Sequence, residues 1–336
     1  MPRHVNVALF IPFNGCPHRC SFCDQRSITG KAYQPTPEDV KSAVTTALDS
    51  LKENSIHSEI AFFGGSFTAI DRQYMISLLE ATVPFIDRFR GIRISTRPDC
   101  IDAEILTLLK TYHVTSIELG AQSMSDTVLT ANDRGHTADD VRTASRLIKD
   151  FGFELGLQMM TGLYMSTPES DVETARQFIT LKPDTVRIYP TIVMKGTRLG
   201  DLYKAGVYQP QTLEEAVALC AGLIRLFEAK DARARVIRVG LHDSESLKEN
   251  MLAGPYHPAF KELCESRIML EKAYELLKEL PQGSYTLRVS PKSRSKMTGN
   301  RKGNLIALKE MGYEITVMED DTMSDLDVEI GEEPSP

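Results

Sequence analysis

The chain has 336 residues and a formal net charge of −7, with 42% hydrophobic and 25% charged residues. This usage excludes a disordered, collagen-like or disulfide-packed chain, and at roughly 150 residues per domain the length fits one large α/β domain with an appendage, or two ordinary domains. No stretch approaches the roughly 18 apolar residues of a membrane span, and the N-terminus lacks a small-residue cleavage site, so a cytoplasmic protein without a membrane partner is expected. The charge is unevenly spread. From Glu310 onward there are ten acids and no Lys or Arg, and removing those ten from −7 leaves +3 on residues 1–309.

Apolar runs rich in β-branched residues alternate with helix-period segments. The first strand is predicted over Val5 to Phe13 and runs into CPHRCSFC. Thr36-Pro37-Glu38 then opens a helix to about Asn54. The strand EIAFFGG, a helix from Asp71 to Phe85, the strand Ile92 to Pro98 and a helix from Asp102 to Tyr112 follow. Next come the strand Ser116 to Ser123, two helical stretches of which the second is Thr137 to Phe151, and the strand Glu154 to Leu163. A helix from Pro168 to Leu181, the strand Val186 to Val193 and a helix from Thr212 to Ala229 complete six units, with Arg235 to His242 as a candidate seventh strand. Strands separated by helices require right-handed crossovers and a parallel sheet. The predicted fold is α/β, a partial (β/α)6 TIM-like barrel with a small C-terminal α/β appendage. Boundaries are expected at 1–245 for the barrel, 246–318 for the appendage and 319–336 for an acidic disordered tail.

Of six cysteines, Cys16, Cys20 and Cys23 crowd into C-x3-C-x2-C. Disulfide geometry does not suit three thiols in one short loop, whereas one metal centre does. A structural zinc would need a fourth ligand such as His18; a [4Fe-4S] cluster held by three cysteines would keep one iron open. Cys220 and Cys264 fall on apolar helix stripes and read as structural, and Cys100 reads as a small buried residue. Polar residues end the later strands: Gly64 to Thr68, Ser95 to Asp99, Gln122 and Ser123, Gln158 to Thr161, and Tyr189 to Thr191. In a parallel barrel those ends share one mouth, where ligands bind.

These motifs together resemble a family. CPHRCSFC after the first strand, with Phe22 before the last cysteine, resembles radical S-adenosylmethionine enzymes. GGSFT, STRPD, IELGAQS, NDRGHT (Asn132 to Thr137) and RIYPTIVMKGT (Arg187 to Thr197), in order, are similar to the radical domain of the Elongator catalytic subunit and its bacterial relatives. The resemblance implies a [4Fe-4S] cluster on Cys16, Cys20 and Cys23 whose open iron chelates S-adenosyl-L-methionine. It also implies Gly64, Gly65 and Ser66 at the methionine amino group, Gln122 and Arg134 at the ribose and carboxylate, and Phe22 near the adenine. Ser95 and Arg97 join this cofactor-binding set, and Tyr189 is the candidate catalytic residue. The implied activity is reductive cleavage of S-adenosylmethionine to a 5'-deoxyadenosyl radical that modifies a tRNA base, with an external one-electron donor such as flavodoxin or ferredoxin. The Elongator subunit has wider spacing between its first two cysteines and an acetyltransferase domain, for which this chain leaves room only for a short appendage. Acetyl-CoA chemistry is therefore not expected.

Ser284 to Lys309 holds seven basic residues and no acid. As a solvated face it would pair with the acidic tail; as a phosphate-contacting face, Lys292, Arg294, Lys296, Arg301 and Lys302 would meet tRNA. Apart from Tyr285 it carries no aromatic side chain for base stacking. Two other readings stand beside the tRNA one: a small-molecule or porphyrin substrate, as in coproporphyrinogen-oxidase-like enzymes, and a zinc-stabilised RNA-binding adaptor. His136 reads as a surface or capping residue, and Met159 and Met160 as core.

Overall fold

A computed structural model describes residues 5–12, 16, 18–23, 33–229, 232 and 234–331. The chain divides into two compact units, Met1–Gln211 with Phe227–Pro255, and Thr212–Leu226 with Tyr256–Pro336. Most of the helix predicted from Thr212 therefore groups with the second unit instead of the barrel. The expected continuation of the first strand to Phe13, and the tail beyond Gly331, lie outside the described residues.

The first unit is built on β1 (Asn6–Ile11), β2 (Glu59–Gly64), β3 (Gly91–Thr96), β4 (Val114–Gln122), β5 (Glu154–Thr161) and β6 (Thr185–Pro190). After the short β7 (Val193–Met194), β8 (Arg235–Val239) joins β6 as the seventh strand of the sheet. All neighbours are parallel, in the order β1-β2-β3-β4-β5-β6-β8, and the sheet curls into a half-barrel. Helices cross between the strands, and several start on side-chain caps: Thr36 with Asp39, Asp102, Thr137 with Asp140, and Thr167 with Ser170. Each cap satisfies N–H groups that the first helical turn leaves open.

Side chains alternate along the strands, with register shifts at Ile92/Arg93, Leu119/Gln122 and Val186/Arg187. Leu9, Ile11, Ile60, Phe62, Ile92, Ile94, Ile117, Leu119, Leu155, Leu157, Val186 and Ile188 are buried on one face, against which helices such as Ala138–Asp150 and Pro168–Leu181 pack. The opposite face carries Phe63, Arg93, Ser95, Glu118, Gln158, Arg187 and Tyr189. A parallel sheet covered on both faces reads as continuous apolar strands; this one has a polar interior. Met159 is fully buried as expected, but Met160 takes the other parity and is only half-buried.

The strand predicted over Val186 to Val193 stops at Pro190, which has no N–H for a ladder. Thr191 N instead donates to Thr161 O at 2.9 Å, and β7 pairs antiparallel with β9 (Met251–Ala253).

In the second unit β10 (Gly283–Val289) lies between β11 (Tyr313–Glu319), parallel, and β12 (Val328–Ile330), antiparallel. Met269, Ala273, Leu277, Leu287, Val289, Met297, Leu308, Tyr313 and Val328 form its core. The expectation of a disordered tail from 319 is corrected as far as Gly331. Val328 is buried in that core, and Asp320, Asp325 and Asp327 take ion pairs from Arg288, Lys296 and Lys272 at 3.1 Å each. Two apolar residues at strand parity, Val328 and Leu326 near it, outweigh the acidic composition. Cys220 and Cys264 are fully buried, as expected. No helix among the described residues is long and apolar enough to cross a membrane.

Candidate active site

The three cysteines follow β1 at the carboxyl end of the sheet. Cys23 N donates to Cys20 O at 3.1 Å, closing one turn. Ser21 fixes that turn: its N–H donates to Asn132 O at 3.0 Å, its hydroxyl to Asn132 Oδ1 at 2.7 Å, and its carbonyl accepts from Leu199 N at 2.7 Å. Phe22, placed near the adenine by the resemblance, packs here against the apolar cluster of Val193, Leu199 and Tyr208. Gly135 lets the neighbouring segment approach. It has φ +71°, and a Cβ there would sit 2.2 Å from the His18 ring.

Among the described residues, no three His, Cys, Asp or Glu groups converge where a single metal ion could sit. Tetrahedral zinc needs donors about 2.0–2.3 Å from one centre, and His18 lies on Gly135. A cluster of four irons takes its thiolates at separate atoms, so the three-cysteine donor set fits a [4Fe-4S] group.

Four buried polar side chains surround this turn, each 9% exposed or less and each with one atom that finds no partner among the described residues. Arg134 donates Nη1 to Cys20 Sγ at 3.0 Å and Nη2 to Gly120 O, while Nε has no partner. Arg97 is locked by Asp99 through Nε and Nη2, both at 2.9 Å, and Nη2 also reaches Arg134 O; Nη1 is left over. Gln122 holds φ +67°, an uncommon backbone state for a residue with a Cβ, and its Oε1 is unpaired. His136 shares Nε2 with Ala121 O at 3.1 Å and leaves Nδ1 bare. It is buried, not at the surface or a cap as expected. Burial, then Arg134 and Arg97, lower its pKa to about 4.

An unmade buried hydrogen bond costs about 1–3 kcal/mol and such groups are few in native proteins. Two guanidinium donors and two acceptors left open beside one thiol suit a zwitterionic amino-acid ligand. S-adenosylmethionine, with its carboxylate, ammonium and ribose hydroxyls, fits that donor set.

The glycine motif brings β2 onto the cysteine loop. Gly64, at φ +115°, would place a Cβ 2.7 Å from Ile11 O, and Gly65 N donates to the same carbonyl at 2.8 Å. Ser66 Oγ meets Thr96 Oγ1 at 2.9 Å and accepts from Arg97 N at 3.3 Å. Cys100, expected to be buried, is half-buried beside Ser66 and Arg97, with its pKa raised by burial and then by Asp99.

Below this mouth lies a charged network that the sequence pattern did not predict. Arg93, 1% exposed, donates Nε to Glu59 Oε2 at 2.8 Å, and Ser116 Oγ donates to Glu59 at 2.8 Å and Glu154 at 3.0 Å. Glu118 accepts from Arg187 Nε at 2.7 Å, from Ser95 Oγ at 3.3 Å and from Gln158 Nε2. Ser95 thus turns into the interior instead of standing with the cofactor-binding set. Tyr189 OH is 3.4 Å from Arg187 Nη1, whose guanidinium lies 5.0 Å from the Phe63 ring centroid. Burial works against the charge of Arg187, but Glu118 and then Tyr189 outweigh it and its pKa is raised. Burial raises that of Tyr189 against the pull of Arg187. The usable signal was a charged residue at alternate positions within apolar strands, as in IRIST and SIELG.

The five basic residues of the second unit divide. Lys296 is half-buried between Glu265 at 3.2 Å and Asp325 at 3.1 Å, and Arg294 pairs with Glu319 at 3.0 Å. Lys292, Arg301 and Lys302 are exposed, without an ion pair among the described residues.

A polar half-barrel with a three-cysteine turn and open arginine donors at its mouth is the architecture of a radical S-adenosylmethionine core. The family model for the Radical SAM superfamily matches residues 10–178 and that for the Radical_SAM C-terminal domain residues 183–270, and the chain belongs to this superfamily. It is a radical S-adenosylmethionine enzyme, with a [4Fe-4S] cluster and S-adenosylmethionine as cofactors. It is 26% identical over 273 residues to a tRNA uridine(34) acetyltransferase of Dehalococcoides mccartyi, covering 68% of this chain and 59% of that one. A Methanocaldococcus jannaschii protein of the same name is 27% identical over 255 residues, covering 63% and 47%. Elongator complex protein 3 of Mus musculus is 29% identical over 206 residues, covering 59% and 34%. The chain thus spans between about a third and three fifths of these relatives' lengths. The solved structure of the archaeal Methanocaldococcus infernus Elp3 shares the fold, with a TM-score of 0.64 at 20% identity, covering 80% of this chain and 63% of that one.

Proposed function

We propose that this enzyme modifies a base of tRNA. The observation that carries the reading is the ring of four buried, half-satisfied side chains around the cysteine turn, in a chain similar to proteins named tRNA uridine(34) acetyltransferases. When bound, the reduced cluster and S-adenosylmethionine supply an electron and a carbon-centred radical able to abstract hydrogen.

The protein's part is placement. Cys16, Cys20 and Cys23 would hold the cluster, and Arg134 Nη1 donates to Cys20 Sγ and fixes that side chain. Arg97, immobilised by Asp99, offers Nη1 to the methionine carboxylate with little side-chain entropy left to lose. Gln122 Oε1 and the neutral His136 Nδ1 accept from the ammonium or ribose hydroxyls. Gly64 and Gly65 let backbone lie against the ligand, Phe22 braces the cysteine turn, and Tyr189 stands at the substrate side. Acetyl transfer belongs to the relatives' names and is not part of the proposal.

Two measurements test it. Anaerobically reconstituted protein should cleave S-adenosylmethionine to 5'-deoxyadenosine. Mass spectrometry of tRNA nucleosides from a strain lacking the protein should reveal one missing modification; a profile identical to the parent's would remove tRNA as substrate.

A further inference from the structure

The inner face of the half-barrel carries one arginine that no carboxylate among the described residues neutralises. Arg187 and Arg238 are register partners on the parallel strands β6 and β8, so their side chains leave the same face side by side. Arg187 is matched by Glu118 at 2.7 Å. Arg238 is half-buried and donates Nε to Gly240 O at 2.9 Å. Desolvation lowers its pKa and Arg187 adds to this, with Tyr189 acting the other way. His242, at the surface in the loop that follows, is lowered by partial desolvation and then by Arg238 and Arg187. Two guanidiniums thus stand side by side with an imidazole near them, and Glu118, the carboxylate that Arg187 pairs with, is already shared by Ser95 and Gln158.

Arg238 is the second-last residue of β8, so it stands at the carboxyl end of the sheet. In (β/α) barrels the loops after the last strands frequently bind phosphate, and a guanidinium fork matches a phosphate bidentately. The half-buried rings of Phe10 and Phe63, 6.2 Å apart and tilted by 48°, offer apolar surface on the same face. We propose that Arg238, with Tyr189 and His242 beside it, forms an anion subsite that takes a phosphate of the substrate. The location in the mouth rests on the enzyme reading above, and the phosphate is that of a nucleotide on the tRNA reading.

The test uses the full-length, anaerobically reconstituted enzyme with inorganic phosphate as the probe. Phenylglyoxal modification of Arg238, followed by peptide mass spectrometry, should be slowed roughly tenfold by saturating phosphate, while the exposed Arg235 on the same strand is little protected. Arg238→Met should weaken tRNA binding roughly tenfold with S-adenosylmethionine affinity unchanged, and Arg238→Lys should restore part of it. Absence of phosphate protection in the wild type overturns the subsite. So does protection by S-adenosylmethionine in place of phosphate, which would assign Arg238 to the methionine carboxylate. The wild-type protection experiment stands even if a variant misfolds. An unchanged nucleoside profile with protection intact would remove tRNA and leave the subsite.

Discussion

Arg93 and Arg97 lie four residues apart, on β3 and just beyond it, and the two meet opposite fates. Arg93 is enclosed at the floor of the half-barrel, hydrogen-bonded to Glu59, 3.6 Å from Glu154 and 3.9 Å from Glu118. Arg93 Nη1 also makes no hydrogen bond but has the Glu118 carboxylate 3.9 Å away, whereas Arg97 has one carboxylate, Asp99, held through Nε and Nη2, and a buried Nη1 with no partner among the described residues. Glu118 and Gln122 repeat the contrast along β4: the first is saturated by Arg187, Ser95 and Gln158, the second leaves its carbonyl oxygen open. Position along the strand, more than residue type, separates charge that builds the fold from charge that awaits a ligand.

The largest effect that would break this contrast is at the mouth. Cys20→Ala removes a thiol of the cysteine turn and the acceptor of Arg134, and S-adenosylmethionine cleavage should fall to background, with iron and sulfide content falling in parallel. Persistent cleavage would refute the role given to the cysteine turn.

The paired substitution Arg93→Met and Arg97→Met tests the contrast directly. Arg93→Met strands the fully buried Glu59 and should cost about 3–5 kcal/mol in urea denaturation. Arg97→Met releases Asp99, which is partly solvated, and should cost about 1 kcal/mol while weakening S-adenosylmethionine binding roughly tenfold or more. If Arg97 proves the costlier for stability, or Arg93 for ligand affinity, the division into floor and mouth is wrong.

The sequence carried the half-barrel well because each strand announces itself by a short apolar run, often β-branched, and most of the helices between them begin on a Pro, Thr or Asp start signal. It carried the cysteine turn and the glycine motif because both are local. What it hid is long-range. Arg93 and Glu59 are 34 positions apart, and Glu118 and Arg187 are 69 apart; no local pattern pairs them. The burial of His136 was equally hidden, because it rests on contact with β4, where Nε2 meets Ala121 O fifteen positions away at 3.1 Å. In the tail, the acidic composition masked the alternation of Leu326, Val328 and Ile330, and it is pairing with β10, a contact distant in the chain, that orders the segment.

His136 gives a smaller, pH-dependent effect. Its pKa drops from an ordinary 6.5 to about 4 on folding, so between those values the unfolded chain binds the extra proton. Its contribution is complete above pH 6.5 and is lost as pH falls toward 4, about 3 kcal/mol over the window. Asp171, pushed up to about 7 by burial, has the opposite slope between 3.8 and 7. The readout is therefore the difference between wild type and His136→Gln at pH 5 and pH 7. The wild type should gain more on going to pH 7; parallel curves would mean that His136 is not held neutral.

The smallest effects belong to the basic face of the second unit, where charge is neither enclosed nor left open in a buried site. Arg294 and Glu319 are both exposed, and Arg294→Ala should change stability by less than about 1 kcal/mol. Lys302 has no ion pair among the described residues. If it touches an RNA phosphate, Lys302→Ala should lower the salt dependence of tRNA binding by roughly one unit of slope. The Arg238→Met variant should lower affinity by more than Lys302→Ala at the same salt, because a half-buried guanidinium is screened less than an exposed ammonium. Equal losses at both positions would place the phosphate contacts on the surface of the protein and leave the mouth to the base alone.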